Sequence, residues 1–301
     1  MKLKLGARGS PLSLAQAKLV TESLAGLAEV ELVVVKTTGD RLSAAGSPIE
    51  WKGDFTRELD EALLDGRIDF AVHSMKDVPT HVPDGLLLAA VPVREDPRDV
   101  LIARPRRNFE SLPRGARVGT SSPRRRAQLL AARPDLEVLE ARGNVDTRIA
   151  RLAEGRFDAI VLARAGLSRL ARLEEVSEVL SPGLVLPAIG QGALAIYARR
   201  DDRSTLSVLD ALDDAASHHE AEAERSLLST LEAGCKAPVA GLARVNNGSL
   251  TLSAGVFSPD GSSALREESA GPVSEAVSIG RDAGQKLLGR GAAALIEAAR
   301  T

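Results

Sequence analysis

The sequence predicts an α/β chain of two similar lobes with a central cleft, followed by a smaller C-terminal α+β domain. Three observations carry this expectation. Over the first 190 residues, short β-branched or apolar runs alternate with segments of helical spacing, the grammar of parallel α/β layers. A charged, proline-containing stretch, VREDPRD (93–99), separates two units that share this grammar, and it reads as a hinge. Beyond Cys235 the pattern changes to short strands joined by NNG and SPDG, the turn residues of antiparallel hairpins, so a third domain is expected from about residue 212. A chain of 301 residues exceeds what one core sustains, so two or three domains are expected.

In the first unit KLKLGAR reads as a strand, and Ser10 then caps a helix that has Pro11 at its first position. VELVVVKTT (30–38) is the second strand. A Gly/Ser-rich loop leads into the helix FTRELDEALLDG, which ends at Gly66. DFAVHSM (69–75) is a third strand, running into the turn KDVPTHVPDG, and LLLAAVPV is a fourth. The second unit repeats the layout. Its strands are ARVGTSS (116–122), LEVLEAR and DAIVLARAG, and its helices are SPRRRAQLLAARP with Ser122 as cap, NVDTRIARLAEG with Asn144 as cap, and LSRLARLEEV.

LVLPAIGQGALAIYARR (184–200) returns as an apolar crossing, followed by a strong helix, ASHHEAEAERSLLSTLEAG (216–234). VAGLARV, SLTLSAGVF and SALREE are the strands of the last domain, and a helix over about 274–299 closes it. The expected division is therefore 1–93 with 190–211, then 98–187, then 212–301.

The net charge of −2 conceals a sorted distribution. Residues 98–172 hold seventeen arginines, no lysine and eight acids, whereas 201–224 hold eight acids and one arginine. An arginine-rich middle suits an anionic ligand held at fixed geometry, with a solvated basic surface as the plain alternative. Nucleic acid is disfavoured, because aromatics make up only 2% of residues and stacking platforms are hard to assemble. The longest apolar run, Leu86 to Val93, is short and contains Pro92, so no membrane span is expected. Cys235 is the single cysteine and can form no internal disulfide. Met1 to Ala15 carries Lys2, Lys4 and Arg8 without a signal-peptide core, and a cytoplasmic location is expected.

Helix starts with arginines on the first turn bind anions, since exposed N–H groups and the macrodipole add to the side-chain charge. TSSPRRR places Thr120, Ser121 and Ser122 before Arg124, Arg125 and Arg126, and ARGNVDTR supplies Arg142 and Arg148. Both junctions lie at carboxyl ends of strands, where α/β sheets bind ligands. Taken singly, each is explained by capping and solvated charge. Asp77, in HSMKDVPT, follows a strand and stands beside Lys76. It is either a turn-capping aspartate or a carboxylate placed to stabilise a cation or move protons. His73 and His81 have no companions at metal-ligand spacing, so no metal is expected, and the nucleotide loops GxGxxG and GxxxxGK[ST] are absent. In LEAGCKAP (231–238), Cys235 is either a small buried hydrophobe or a reactive thiol.

Together ARGSPLSLAQA, AVHSMKDVPT, VGTSSPRRRAQL, RGNVDTRIARL, DAIVLARAGLSRL, LPAIGQGALAI and LEAGCKAPVAG resemble, in order and over nearly the whole chain, the porphobilinogen deaminase (hydroxymethylbilane synthase) family. The resemblance implies two lobes like those of periplasmic binding proteins and a third domain presenting the cysteine. It implies the head-to-tail joining of four porphobilinogen molecules with loss of ammonia, and release of the linear tetrapyrrole by water. It implies a dipyrromethane cofactor in thioether linkage to Cys235, a soft thiolate suited to trapping an electrophilic carbon.

By the same resemblance Asp77 is the catalytic carboxylate, and Lys76, Ser74, Thr120, Ser121, Ser122, Arg124, Arg125 and Arg142 hold the cofactor with Cys235. Arg8, Ser10, Lys52, Arg142, Arg148, Arg169 and Gln191 bind substrate. No nucleic acid, membrane or metal enters, and a monomer is expected. Three positions depart from the family pattern: Pro48 stands where a second loop lysine is frequent, Arg57 where lysine is frequent, and Arg164 where a small or apolar residue is usual. Arg164 is either an extra anion contact or an exposed charge. A non-catalytic two-lobed binder of organic anions would account for the hinge and the arginines, but it would need neither Cys235 nor Asp77.

Overall fold

The computed structural model describes residues 1–44, 52–233 and 237–299. Cys235, Pro48 and the side chain of Lys52 lie outside the described residues.

The chain opens with strand β1 (Lys2–Arg8), buried at Leu3, Leu5 and Ala7. Helix α1 (Pro11–Ser23) follows, with Ser10 Oγ accepting from the Ser13 N–H at 3.3 Å as the expected cap. β2 (Glu29–Val35) is shorter than predicted. Thr37 and Thr38 turn the chain into helix α2 (Thr38–Ala44), where the sequence suggested a loop, and Asp40 accepts from the Thr37 hydroxyl at 2.8 Å. Helix α3 (Arg57–Leu64), strand β3 (Phe70–Ser74) and strand β4 (Leu86–Ala90) complete the first pass through this lobe.

The second lobe begins with a strand that the sequence reading did not find, β5 (Asp99–Ala103), buried along its whole length. Then come β6 (Arg117–Gly119), α4 (Pro123–Ala132), β7 (Glu137–Leu139), α5 (Val145–Ala153), β8 (Ala159–Ala163), α6 (Arg164–Arg169) and β9 (Glu178–Val179). Ser122 and Asn144 cap α4 and α5 as predicted, accepting from the N–H groups of Arg125 and Thr147. The helix expected over LSRLARLEEV breaks after Arg169, where Ala171 turns left-handed at φ 53°; only Leu173–Glu175 resumes, as a 3-10 turn.

The chain then returns as β10 (Leu194–Arg199), which inserts antiparallel between β3 and β4, giving the sheet order β2-β1-β3-β10-β4. The second sheet runs β7-β6-β8-β5-β9, with β5 antiparallel to both neighbours. Each lobe is therefore a mixed sheet, where the sequence suggested wholly parallel layers. A strand that arrives by a direct crossing from the other lobe enters from the opposite end and must run against its neighbours. Apolar clusters cover both faces of each sheet.

Helices α7 (Arg203–Leu209) and α8 (Ala215–Thr230) lead to an antiparallel sheet of β11 (Val239–Asn246), β12 (Ser249–Phe257) and β13 (Ala264–Pro272). The predicted closing helix is two, α9 (Ala276–Gly289) and α10 (Ala292–Ala298), interrupted where Gly291 adopts φ 94°. Leu227, Leu252, Val256, Ala283 and Leu287 form the core between this sheet and its helices. No helix among the described residues is long and apolar enough to cross a membrane.

Candidate active site

Asp77 stands at the carboxyl end of β3, in the single turn Met75–Asp77. Other parts of the chain fix that turn on three sides. The Met75 N–H donates to Ala193 O at 3.0 Å. Arg225, on α8, donates to Pro79 O and Thr80 O, both at 2.9 Å. Gly190 lies so close that a Cβ there would be 2.5 Å from Met75 Cγ and 3.1 Å from Lys76 N, and its φ of 71° also favours glycine. The Gly190 N–H donates to the buried carboxylate of Glu224 at 2.6 Å, so neighbouring residues of α8 brace both ends of the turn.

From the second lobe, Arg124 and Arg125 point inward from the start of α4, and both are buried. They converge on Asp99, with Arg124 Nη1 2.8 Å from Oδ2 and Arg125 Nη2 2.8 Å from Oδ1. Burial alone would raise the Asp99 pKa, but the two guanidinium groups outweigh it and hold the carboxyl well below its ordinary range. Gln191 Nε2 donates to Asp99 Oδ1 at 2.8 Å and to Pro97 O at 2.6 Å, while its Oε1 accepts from Lys76 Nζ at 3.5 Å. A polar relay thus runs from the Asp77 turn through the return crossing to the arginines.

Positive charge exceeds negative here. Lys76 is pushed down to about 8 by burial, with Asp77 opposing and Arg125 assisting. Arg148 is pushed down to about 10, chiefly by burial and then by Arg125 and Arg151, against Asp77. Burial likewise lowers Arg169 to about 10, with Glu95 opposing. The Nε atoms of Arg124 and Arg148 are buried with no acceptor among the described residues. A buried N–H donor without an acceptor is costly, and a carboxylate-bearing ligand is the chemistry that satisfies it.

The remaining candidates are more dispersed. Arg8 donates to Asp40 from Nε (3.1 Å) and Nη2 (2.5 Å) and stacks on Phe55, 3.9 Å from the ring centre. Ser74 Oγ accepts from Gln16 Nε2 at 2.7 Å, and Thr120 Oγ1 from the Ser122 N–H at 3.2 Å. Ser10 and Ser122 serve as caps, and Ser121 is exposed. Arg142 is engaged by Glu140 at 2.6 Å, and Arg169 donates to Gly192 O at 2.6 Å. Arg57 donates to the Thr38 hydroxyl at 3.1 Å. Sequence reasoning missed Asp99, Glu224 and Arg225, whose partners are distant in the chain. The one local hint was an aspartate leading an apolar run, DVLIA.

Two family models match the chain: "Porphobilinogen deaminase, dipyromethane cofactor binding domain" over residues 3–207, and "Porphobilinogen deaminase, C-terminal domain" over 218–289. The porphobilinogen deaminase of Syntrophobacter fumaroxidans is 47% identical over 299 residues, covering 98% of this chain and 97% of that protein. Those of Rubrobacter xylanophilus (50%; 98% and 96% covered) and Thermus thermophilus (48%; 95% of each) are similarly close. Among solved structures, a Bordetella pertussis BvgS VFT2 domain is similar at TM-score 0.42 and 18% identity, over 70% of this chain and 86% of that one. A carboxylate on a braced turn, buried arginines linked to that turn through Asp99 and Gln191, and end-to-end matches over both halves lead to one conclusion: the chain belongs to the porphobilinogen deaminase family, transferases of tetrapyrrole biosynthesis that work with a dipyrromethane cofactor.

Proposed function

We propose that this chain joins four porphobilinogen molecules head to tail, with Asp77 as the catalytic carboxylate. Porphobilinogen reacts by breaking its aminomethyl C–N bond. The pyrrole nitrogen lone pair pushes out the protonated amine as ammonia and leaves a cationic methylene-pyrrolenine. A carboxylate beside the pyrrole N–H stabilises that charge as it develops, which lowers the barrier more than it stabilises neutral substrate. The observation that carries this reading is the placement of Asp77 beside Lys76 on a turn that Gln191 links to Asp99 and, through it, to Arg124 and Arg125. These cations suit the acetate and propionate of each ring and would orient the substrate with its aminomethyl carbon near Asp77.

The unsatisfied Nε atoms of Arg124 and Arg148 support the fit of a polycarboxylate cofactor at this place. Arg124, Arg125, Arg142, Lys76, Ser74, Thr120, Ser121 and Ser122 would hold dipyrromethane, with Cys235 as its thioether anchor. When bound, this group supplies the nucleophilic pyrrole carbon that primes the chain. Arg8, Ser10, Lys52, Arg148, Arg169 and Gln191 would bind incoming substrate. We take the domains as 1–93 with 190–211, 98–187 and 212–301, and the protein as a cytoplasmic monomer that binds neither nucleic acid nor membrane.

Asp77→Asn and Cys235→Ser test the reading. Asp77→Asn is expected to keep its circular dichroism and lose turnover by at least about 100-fold. Peptide mass spectrometry should find two pyrrole units on the Cys235 peptide of the wild type and none in Cys235→Ser. Turnover of Asp77→Asn within threefold of wild type, or an unmodified Cys235 in active protein, overturns it.

A further inference from the structure

Arg164 opens α6, Ser168 follows one turn later, and Arg169 is next. All three reach the segment that connects the lobes. Arg164 Nη1 donates to Glu95 Oε1 at 3.0 Å, and Ser168 Oγ donates to Glu95 Oε2 at 2.7 Å. Each oxygen of one carboxylate is thus held by one of two residues at i and i+4 of the same helix. Arg164 Nε also lies 3.5 Å from Asp96 Oδ2, and its backbone N–H donates to Arg98 O at 3.0 Å. Gly192 O accepts both from Arg169 Nη2 at 2.6 Å and from the Glu95 N–H at 3.3 Å. Gly192 allows this approach, because a Cβ there would be 2.2 Å from Glu95 O.

A helix of six residues with no side-chain cap cannot set its own orientation; outside ties must do so. Leu167 anchors the helix in the core of the second lobe, and the polar ties that hold its charged face to the strap run to Glu95, Asp96, Arg98 O and Gly192. We propose that Arg164 is a positioning residue, which through Glu95 fixes the rotation of α6 on the inter-lobe strap and thereby fixes where Arg169 presents its guanidinium to substrate. The choice left open by the sequence resolves differently from either option, since Nη1 and Nε of Arg164 already face carboxylates. This inference rests on the reading of Arg169 as a substrate-binding group. Magnitudes separate it from a purely structural role. A partly exposed ion pair such as Arg164–Glu95 contributes only about 0–1 kcal/mol to stability, whereas small displacements of a binding group are felt strongly in the kinetics.

Steady-state kinetics with porphobilinogen on Arg164→Leu, Arg164→Lys, Glu95→Ala, the Arg164→Leu/Glu95→Ala double variant and Arg169→Ala test it. Arg164→Leu is expected to raise KM about fivefold with kcat within about twofold and a melting temperature within about 2 °C of wild type. Lys at 164 should restore KM to within about twofold, and the double variant should be no worse than the poorer single, because both break one tie. An unchanged KM in Arg164→Leu, or strictly additive effects in the double variant, overturns the proposal. If Arg169→Ala raises KM while Arg164→Leu is silent, the positioning role alone falls. If both are silent, the reading of Arg169 falls with it.

Discussion

Asp99 carries two guanidinium groups on one carboxylate with no exposure to solvent, and that arrangement decides how much charge the cleft offers a ligand. Its fixed negative charge offsets part of Arg124 and Arg125, while Arg148 has no such carboxylate hydrogen-bonded to it among the described residues. Taking away the anion of a buried cluster strands the cations, which costs far more than the cluster's net worth. Asp99→Asn is therefore expected to lose about 3–5 kcal/mol in urea unfolding. The pH dependence has a definite sign. The folded pKa of Asp99 lies below the ordinary value of 3.8, so its stabilisation is full above that pH and is lost as pH falls toward the folded value. Wild-type stability should thus fall more steeply below pH 4 than that of Asp99→Asn, as measured by unfolding at a series of acid pH values.

At the scale of elements, the Asp77 turn owes its position to α8 and the 190–193 crossing more than to its own hydrogen bonds. Gly190→Ala tests this. The added methyl would drive into Met75 and the backbone of Lys76, so kcat should fall about 10- to 100-fold with the turn's displacement, alongside a lowered melting temperature. The caps at Ser10, Ser122 and Asn144, the strand before Asp77 and the hairpins of the last domain were legible in the sequence because each is specified within a few residues. β5 was not. Its apolar run is only four residues long after Asp99, and the charges before it suggested continued linker. The break after α6 leaves no local trace, since LSRLARLEEV is helical by composition and Ala171 turns left-handed only in its tertiary setting. The interruption between α9 and α10 did leave one, in the glycines of LGRG. Within the site, residue types were readable and pairings were not. Arg124 and Arg125 looked like ligand contacts, and nothing near them in sequence announced Asp99.

At the scale of the molecule, Glu224 joins three parts of the chain. Fully buried, it accepts from Arg94 Nη1 at 2.7 Å, from the Gly190 N–H at 2.6 Å and from the Ala243 N–H at 2.8 Å. Arg94 completes the junction by donating to Glu220 and to Gln191 O. Glu224→Gln leaves Arg94 without its main anion and should lower stability by about 3–5 kcal/mol. In calorimetry the C-terminal domain should then melt apart from the lobes, whereas the wild type, with this junction intact, is expected to melt in one transition.

The insertion of β10 between β3 and β4 has a consequence for synthesis. On the ribosome, the strands of the second sheet emerge as one uninterrupted stretch, from Asp99 to Val179. The first sheet stays gapped until Leu194–Arg199 clears the exit tunnel, so β4 has no partner to its inner side during all that time. Although the amino-terminal unit of a nascent protein ordinarily settles first, here the later-made lobe can close while the earlier one waits with an open seam.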